Sequence, residues 1–215
     1  MTFIELINKV LIRLRETSAV SPTDNDYVTL VGYLVNDAKD IVQKAWDWSS
    51  LRTTATVNAT SGDSTYTLTG FGLDFKLLDA YNDTQNSRLQ LISREMMTSW
   101  IELSSASSGP PSHFCYSGND TNGDPNITVY PTLDGSYTLK FDAVVREAEM
   151  EDAADTTALP SRPVILYAWA LAARERGETG GTAAQELFAI ADKALGDAIA
   201  LDASKYPQQL TWVTV

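Results

Sequence analysis

The single histidine and the single cysteine of the chain stand two residues apart, in the stretch "HFCY". A thiol beside an imidazole is the pairing that cysteine nucleophiles use. In a strand, the period of two places His113 and Cys115 on one face. Such neighbours sit ~7 Å apart, too far for a direct hydrogen bond, and no acidic residue is assignable to orient the imidazole. A zinc site needs three or four Cys, His or acidic ligands, and only one His and one Cys exist. The stretch "NDTNGDPN" resembles the start of a calcium loop, but its glycine falls too early and the terminal glutamate is missing, so it reads as a polar turn. Glu149, Glu151 and Asp152 could serve as glycosidase carboxylates only on a scaffold that fixes their separation, and they lie in a linker. No P-loop, GxGxxG, GxSxG or HExxH occurs. The expectation is a protein that is not an enzyme, with no catalytic, cofactor-binding or metal-binding residues.

Bulk properties point the same way. A length of 215 residues suits one domain, or a helical core with an inserted module. The formal net charge is -12, from 28 acidic against 16 basic residues, with no basic cluster of even five. Nucleic-acid affinity comes largely from Lys and Arg on phosphates, so no specific nucleic-acid binding is expected. There is no run of ~18 apolar residues to span a membrane. The opening "MTFIELINKVLIRLRE" carries charges inside its apolar pattern and has no small-residue cleavage site, so it does not read as a signal peptide. One cysteine cannot form an intrachain disulfide, which suits a reducing interior. The Asn-x-Thr sequons at Asn58, Asn82, Asn119 and Asn126 then mean little.

The elements that would position these residues follow from periodicity. Thr2 with Glu5 forms a capping box, and Phe3, Ile4, Ile7, Val10, Leu11 and Leu14 share a helix face. After the loop "TSAVSPTDND", Asp24 or Asp26 caps a second helix with Tyr27, Leu30, Val31, Leu34, Ala38, Ile41, Val42 and Ala45 on its apolar side. Beyond Trp48 the period changes to two. "LRTTATVNA", "TYTL", "FKLLDAYND", "RLQLI", "HFCYS", "NITVY" and "SYTLKFDAVV" read as strands, and Ser93 caps the short helix "REMMTSWIEL". In the last strand Tyr137, Leu139, Phe141, Ala143 and Val145 face inward. An acidic linker ends at Pro160, Pro163 opens a third helix running to Gly177, and an alanine-rich fourth helix runs from about Thr182 to Ser204. The expected fold is α+β. A four-helix bundle from the N- and C-terminal pairs, residues 1–48 and 160–206, carries an inserted antiparallel β-sandwich-like module with one short helix over 49–159. A C-terminal tail over 207–215 completes it.

Four local features in this order resemble a known family. Helices ending in Trp46 and Trp48 lead into "LRTTATV". Gly109, Pro110, Pro111 and Phe114 precede "VYPTLDGSYTLKF", similar to a family proline and Asp-Gly hairpin, whose turn at Asp134-Gly135 would set the strand register. "ALP" (Ala158, Leu159, Pro160) launches the last helix pair. The arrangement covers nearly the whole chain and resembles the head-to-tail adaptors of short-tailed bacteriophages, of the tail tubular protein A type. It departs at Thr132 and Leu133, where a second proline is common.

The resemblance implies a structural virion protein of the neck, assembled in the host cytoplasm. Its partners would be the portal protein, a tail nozzle or other tail protein, and further copies of itself in a ring of twelve with a channel for DNA. It implies no cofactor and no membrane. An acidic channel wall would repel DNA, and Glu147, Glu149, Glu151 and Asp152 of the linker are the expected channel-facing acids. In the tail, Tyr206, Leu210, Trp212, Val213 and Val215 are the expected partner-binding residues, ordering only on assembly. The alternative is a carbohydrate- or receptor-binding β module of a phage tail or surface protein. That would expose clustered aromatics, whereas Tyr and Phe here alternate inward.

Overall fold

A computed structural model describes residues 1–103, 107–177 and 182–205, without the side chains of 103 and 182–184. Helices α1 (Phe3–Arg13) and α2 (Asp26–Ala45) precede strands β1 (Arg52–Ala59), β2 (Thr65–Thr67), β3 (Phe75–Asn82), β4 (Ser87–Arg88) and β5 (Gln90–Leu91). Helix α3 (Arg94–Thr98) leads to β6 (His113–Asn119), β7 (Pro125–Tyr130) and β8 (Tyr137–Val145), and α4 (Ser161–Glu175) and α5 (Thr182–Ala203) follow. The fold is mixed α+β. Two compact units divide it: Met1–Leu51 with Glu147–Val215, and Arg52–Arg146.

In the helical unit, α1 starts where the capping box predicts. The Glu5 amide donates to Thr2 Oγ1 at 3.4 Å and the Thr2 amide donates to Glu5 Oε2 at 2.9 Å. Helix α4 packs against α1, α2 and α5. Leu6, Ile7, Val10, Val31, Val35, Val42, Val164 and Ala168 are fully buried between them. Each such Val, Leu or Ile contributes about 1.5–3 kcal/mol over leaving it exposed. Gly32 lets α1 approach closely, because a Cβ there would stand 3.2 Å from the Phe3 ring.

Two expectations for α2 shift. Its N-cap is Asn25, between the two aspartates, with Oδ1 accepting from the Val28 amide at 2.9 Å. Its buried face is also rotated, comprising Val28, Val31, Gly32, Val35, Asn36, Ala38, Lys39, Val42 and Gln43. Ile41 is 40% exposed, and Leu30 and Leu34 are only half-buried. The rotation has a cause outside the helix: a segment near residue 150 covers its polar side. Helix α4 begins at Ser161, two residues before Pro163, with Pro160 at its N-cap.

In the strand unit, one sheet runs β1-β8-β3-β4 and the other β2-β7-β6-β5. They enclose one apolar core of Leu68, Phe71, Phe114, Ile127, Val129, Leu139, Phe141 and their neighbours. The inward alternation of β8 holds from Tyr137 through Ala143. Pairing is antiparallel except for β5 on β6, which is parallel, so the second sheet is mixed rather than purely antiparallel. "RLQLI" is not one strand. Buried Leu89 marks a corner, with β4 joining the first sheet and β5 the second.

The expected hairpin in "VYPTLDGSYTLKF" is likewise overturned, since β7 and β8 lie in different sheets. Pro131, after a cis Tyr130-Pro131 bond, has no amide to continue the ladder of β7. Gly135 lacks the positive φ that a type I′ turn requires. Residues 131–136 instead cross between the sheets. Leu133 is buried in the core, and Thr132 exchanges backbone bonds with Ser107 and Gly109.

Candidate assembly interface

The acidic stretch after Arg146 groups with the helices, and its backbone explains how. It has no ladder of its own, so its polar groups need partners. Asn36 Nδ2 donates to the Met150 carbonyl at 3.0 Å, and the Met150 amide donates back to Asn36 Oδ1 at 3.1 Å. Lys39, 2% exposed, donates to the Ala148 carbonyl. Burial presses the Lys39 ammonium below the usual lysine pKa, against the opposing fields of Glu147, Glu149, Asp155 and Asp40. At the far end, the Phe3 amide donates to the Asp155 carbonyl at 2.7 Å and the Ile4 amide to that of Ala153 at 3.3 Å. These carbonyls satisfy the free first amides of α1. Asp155 closes the turn by accepting from the amides of Glu151 and Asp152, both at 2.8 Å, which lowers its pKa.

This docking sorts the four candidate channel acids. Glu147 is half-buried and accepts from Thr157 Oγ1 at 2.6 Å and the Ala158 amide at 2.7 Å. Glu149, Glu151 and Asp152 are exposed. A signal for the docking was present in α2, where polar Asn36, Lys39 and Gln43 recur at spacings of three and four beside the valines.

A second cluster, missed in the sequence, closes α5. The Asp202 carboxylate, 5% exposed, accepts from Trp46 Nε1 at 3.2 Å, the Ser49 amide at 2.9 Å, Ser49 Oγ at 2.5 Å and Lys205 Nζ at 2.8 Å. Burial alone would raise its pKa. The bonds from Lys205 and Ser49 outweigh that and pull it down to about 2. Lys205 Nζ also donates to Ser49 Oγ at 3.1 Å, so the last described residue is fastened to the segment that follows α2. Tyr206, Leu210, Trp212, Val213 and Val215 lie outside the described residues.

The residues that could have done chemistry each have separate structural partners. His113 Nδ1 stands 2.8 Å from Ser112 Oγ, and its ring meets Trp100 edge-on at 5.1 Å. Cys115 is buried, which raises its thiol pKa. Asp124 in the calcium-like turn accepts from the amides of Gly72 at 2.8 Å and Gly70 at 3.0 Å, and these hold its carboxyl below the usual range. Among the described residues no group of three or more His, Cys, Asp or Glu could hold a metal. Asn82 is fully buried, which removes one sequon from the surface. The aromatics Phe71, Phe114, Phe141 and Tyr137 sit in the core rather than in an exposed cluster. No helix among the described residues is long and apolar enough to cross a membrane.

The fold thus consists of helices that hold an acidic segment and, inserted between them in the chain, a two-sheet unit. The chain belongs to the SU10 adaptor protein family, whose model matches residues 1–212. Membership makes it a structural bacteriophage adaptor, consistent with the resemblance to head-to-tail adaptors, although the match does not name the tail tubular protein A type. A comparison with curated proteins returns no match.

Proposed function

We propose that copies of this chain form a ring beneath the portal and link it to the tail, with DNA passing through the centre. The observation that carries this is the family match along residues 1–212, since it includes both the helices and the inserted strand unit. In this reading α1, α2, α4 and α5 make a four-helix bundle that stands side by side with its copies, twelve to the ring by resemblance. The strand unit meets the next tail protein. The protein performs no catalysis and sits in the neck of the virion, assembled in the host cytoplasm.

Glu149, Glu151 and Asp152 are the acids offered to the channel, because their side chains are exposed while their backbone is fixed on α1 and α2. A fixed acidic wall repels phosphates within a Debye length of about 8 Å at physiological salt. Residues 207–215 serve assembly, with Trp212 as anchor. Sedimentation of the purified chain with a purified portal ring tests the reading. A complex of many adaptor copies on one portal is expected, and deleting 207–215 should weaken it while leaving the melting temperature unchanged. Independent sedimentation of chain and portal at micromolar concentration overturns it.

A further inference from the structure

Strand β1 ends its sheet, and among the described residues it pairs only with β8. Its register from Arg52↔Val144 to Ala59↔Tyr137 runs without a bulge. In an antiparallel edge strand, alternate residues direct both N–H and C=O away from the sheet. Proteins guard such edges with charge, proline, bulges or short length. Thr53 to Ala59 carry none of these, and Thr53, Thr54, Thr56 and Asn58 are exposed. The other sheet-end strands are guarded: β4 and β5 have two residues each and β2 has three.

The opposite edge of a second copy is a poor continuation of this sheet, because β4 covers only Tyr81 and Asn82 of β3 and the open stretch before them is broken by a bulge between Leu77 and Asp79. An extended segment of eight or more residues fits better. Three stretches lie outside the described residues, 104–106, 178–181 and 206–215, and only the last is long enough. Its "YPQQLTWVTV" has no charged side chain, and from Leu210 onward it reads Leu, Thr, Trp, Val, Thr, Val, a pattern suited to a strand. Ten extended residues reach ~33 Å, enough to follow a strand of eight at ~27 Å. We infer that the β1 edge is the acceptor for the C-terminal segment of a neighbouring copy, which adds to the sheet as a strand. This rests on the ring reading, which places a neighbour beside every subunit. The contact is heterologous, so it propagates around a ring rather than closing a pair. Main-chain bonds supply the affinity and Trp212 the specificity.

Hydrogen exchange of the β1 amides tests this in two arms. In the first, full-length chain is compared in its assembled and dilute forms. Every second amide from Thr53 to Ala59 should slow on assembly by at least about tenfold, equivalent to about 1.4 kcal/mol. In the second, a synthetic peptide of residues 206–215 is added to chain truncated after Lys205, and the same amides should slow without any ring. Protection in the peptide arm with no assembly of the full chain keeps the acceptor site and removes the ring. A ring whose β1 amides exchange as in the dilute chain removes the acceptor site and keeps the ring. A mixture of T56C or N58C chains with V213C chains should give interchain disulfides. Cross-links only within a doubly substituted chain, or only between two T56C chains, overturn the assignment in favour of self-docking or β1–β1 pairing.

Discussion

Asp202 gathers four donors on one carboxylate at the end of α5, and two of them come from Ser49. Its folded pKa of about 2 lies below the ordinary 3.8, so its contribution is present above pH 4 and is lost as pH falls toward 2. The shift corresponds to about 2 kcal/mol at neutral pH. D202N should therefore lower stability in urea by about 1–3 kcal/mol at pH 7, and the gap to wild type should close between pH 4 and pH 2. A gap that persists at pH 2 contradicts the assignment. Little in the sequence marked Asp202, because three of its four donors come from Trp46 and Ser49, some 150 residues away in the chain, and only Lys205 is local. Cys115 was visible as a residue but not as an environment. Burial raises its thiol pKa, so a thiol reagent at pH 8 should modify it far more slowly in the folded chain than in urea. Equal rates would mean that the sheet face over Cys115 is open.

Elements were legible where local chemistry decides them. The capping box of α1, the Ser93 cap of α3 and the alternation along β8 depend on neighbours within a few residues, and all three stand in the structure. What failed depended on distant partners. The apolar stripe of α2 turned because residues 147–150 cover Asn36 and Lys39. The hairpin at Asp134-Gly135 became a crossover because β7 and β8 belong to different sheets, a choice that turn residues alone do not encode. The acids of the linker were legible as charge, but the inward turn of Glu147 toward Thr157 was not. Asn36 gives the element-scale test. N36A leaves the amide and carbonyl of Met150 without their partner, at a cost of about 1–3 kcal/mol. Amide exchange in residues 147–155 should quicken in N36A before the rest of the helical unit loosens. Unchanged exchange there would show that the segment is held by other contacts.

Across the whole molecule the charge of -12 suits the proposed function, a neck through which DNA would pass without sticking. The chain should show no binding to duplex DNA in a gel shift at low or physiological salt. Micromolar affinity with a steep salt slope would contradict the acidic channel. Neutralising Glu149, Glu151 and Asp152 together to Gln, Gln and Asn should leave folding intact, because the bonds of this segment run through its backbone and through Asp155. The most direct measurement is an electron-microscopic reconstruction of the neck of the phage particle. The account predicts a closed ring of this chain in contact with the portal, its helices side by side, its strand units toward the tail, and Glu149, Glu151 and Asp152 on the channel wall. Density that places the chain at the periphery of the tail, away from the DNA path, would contradict it.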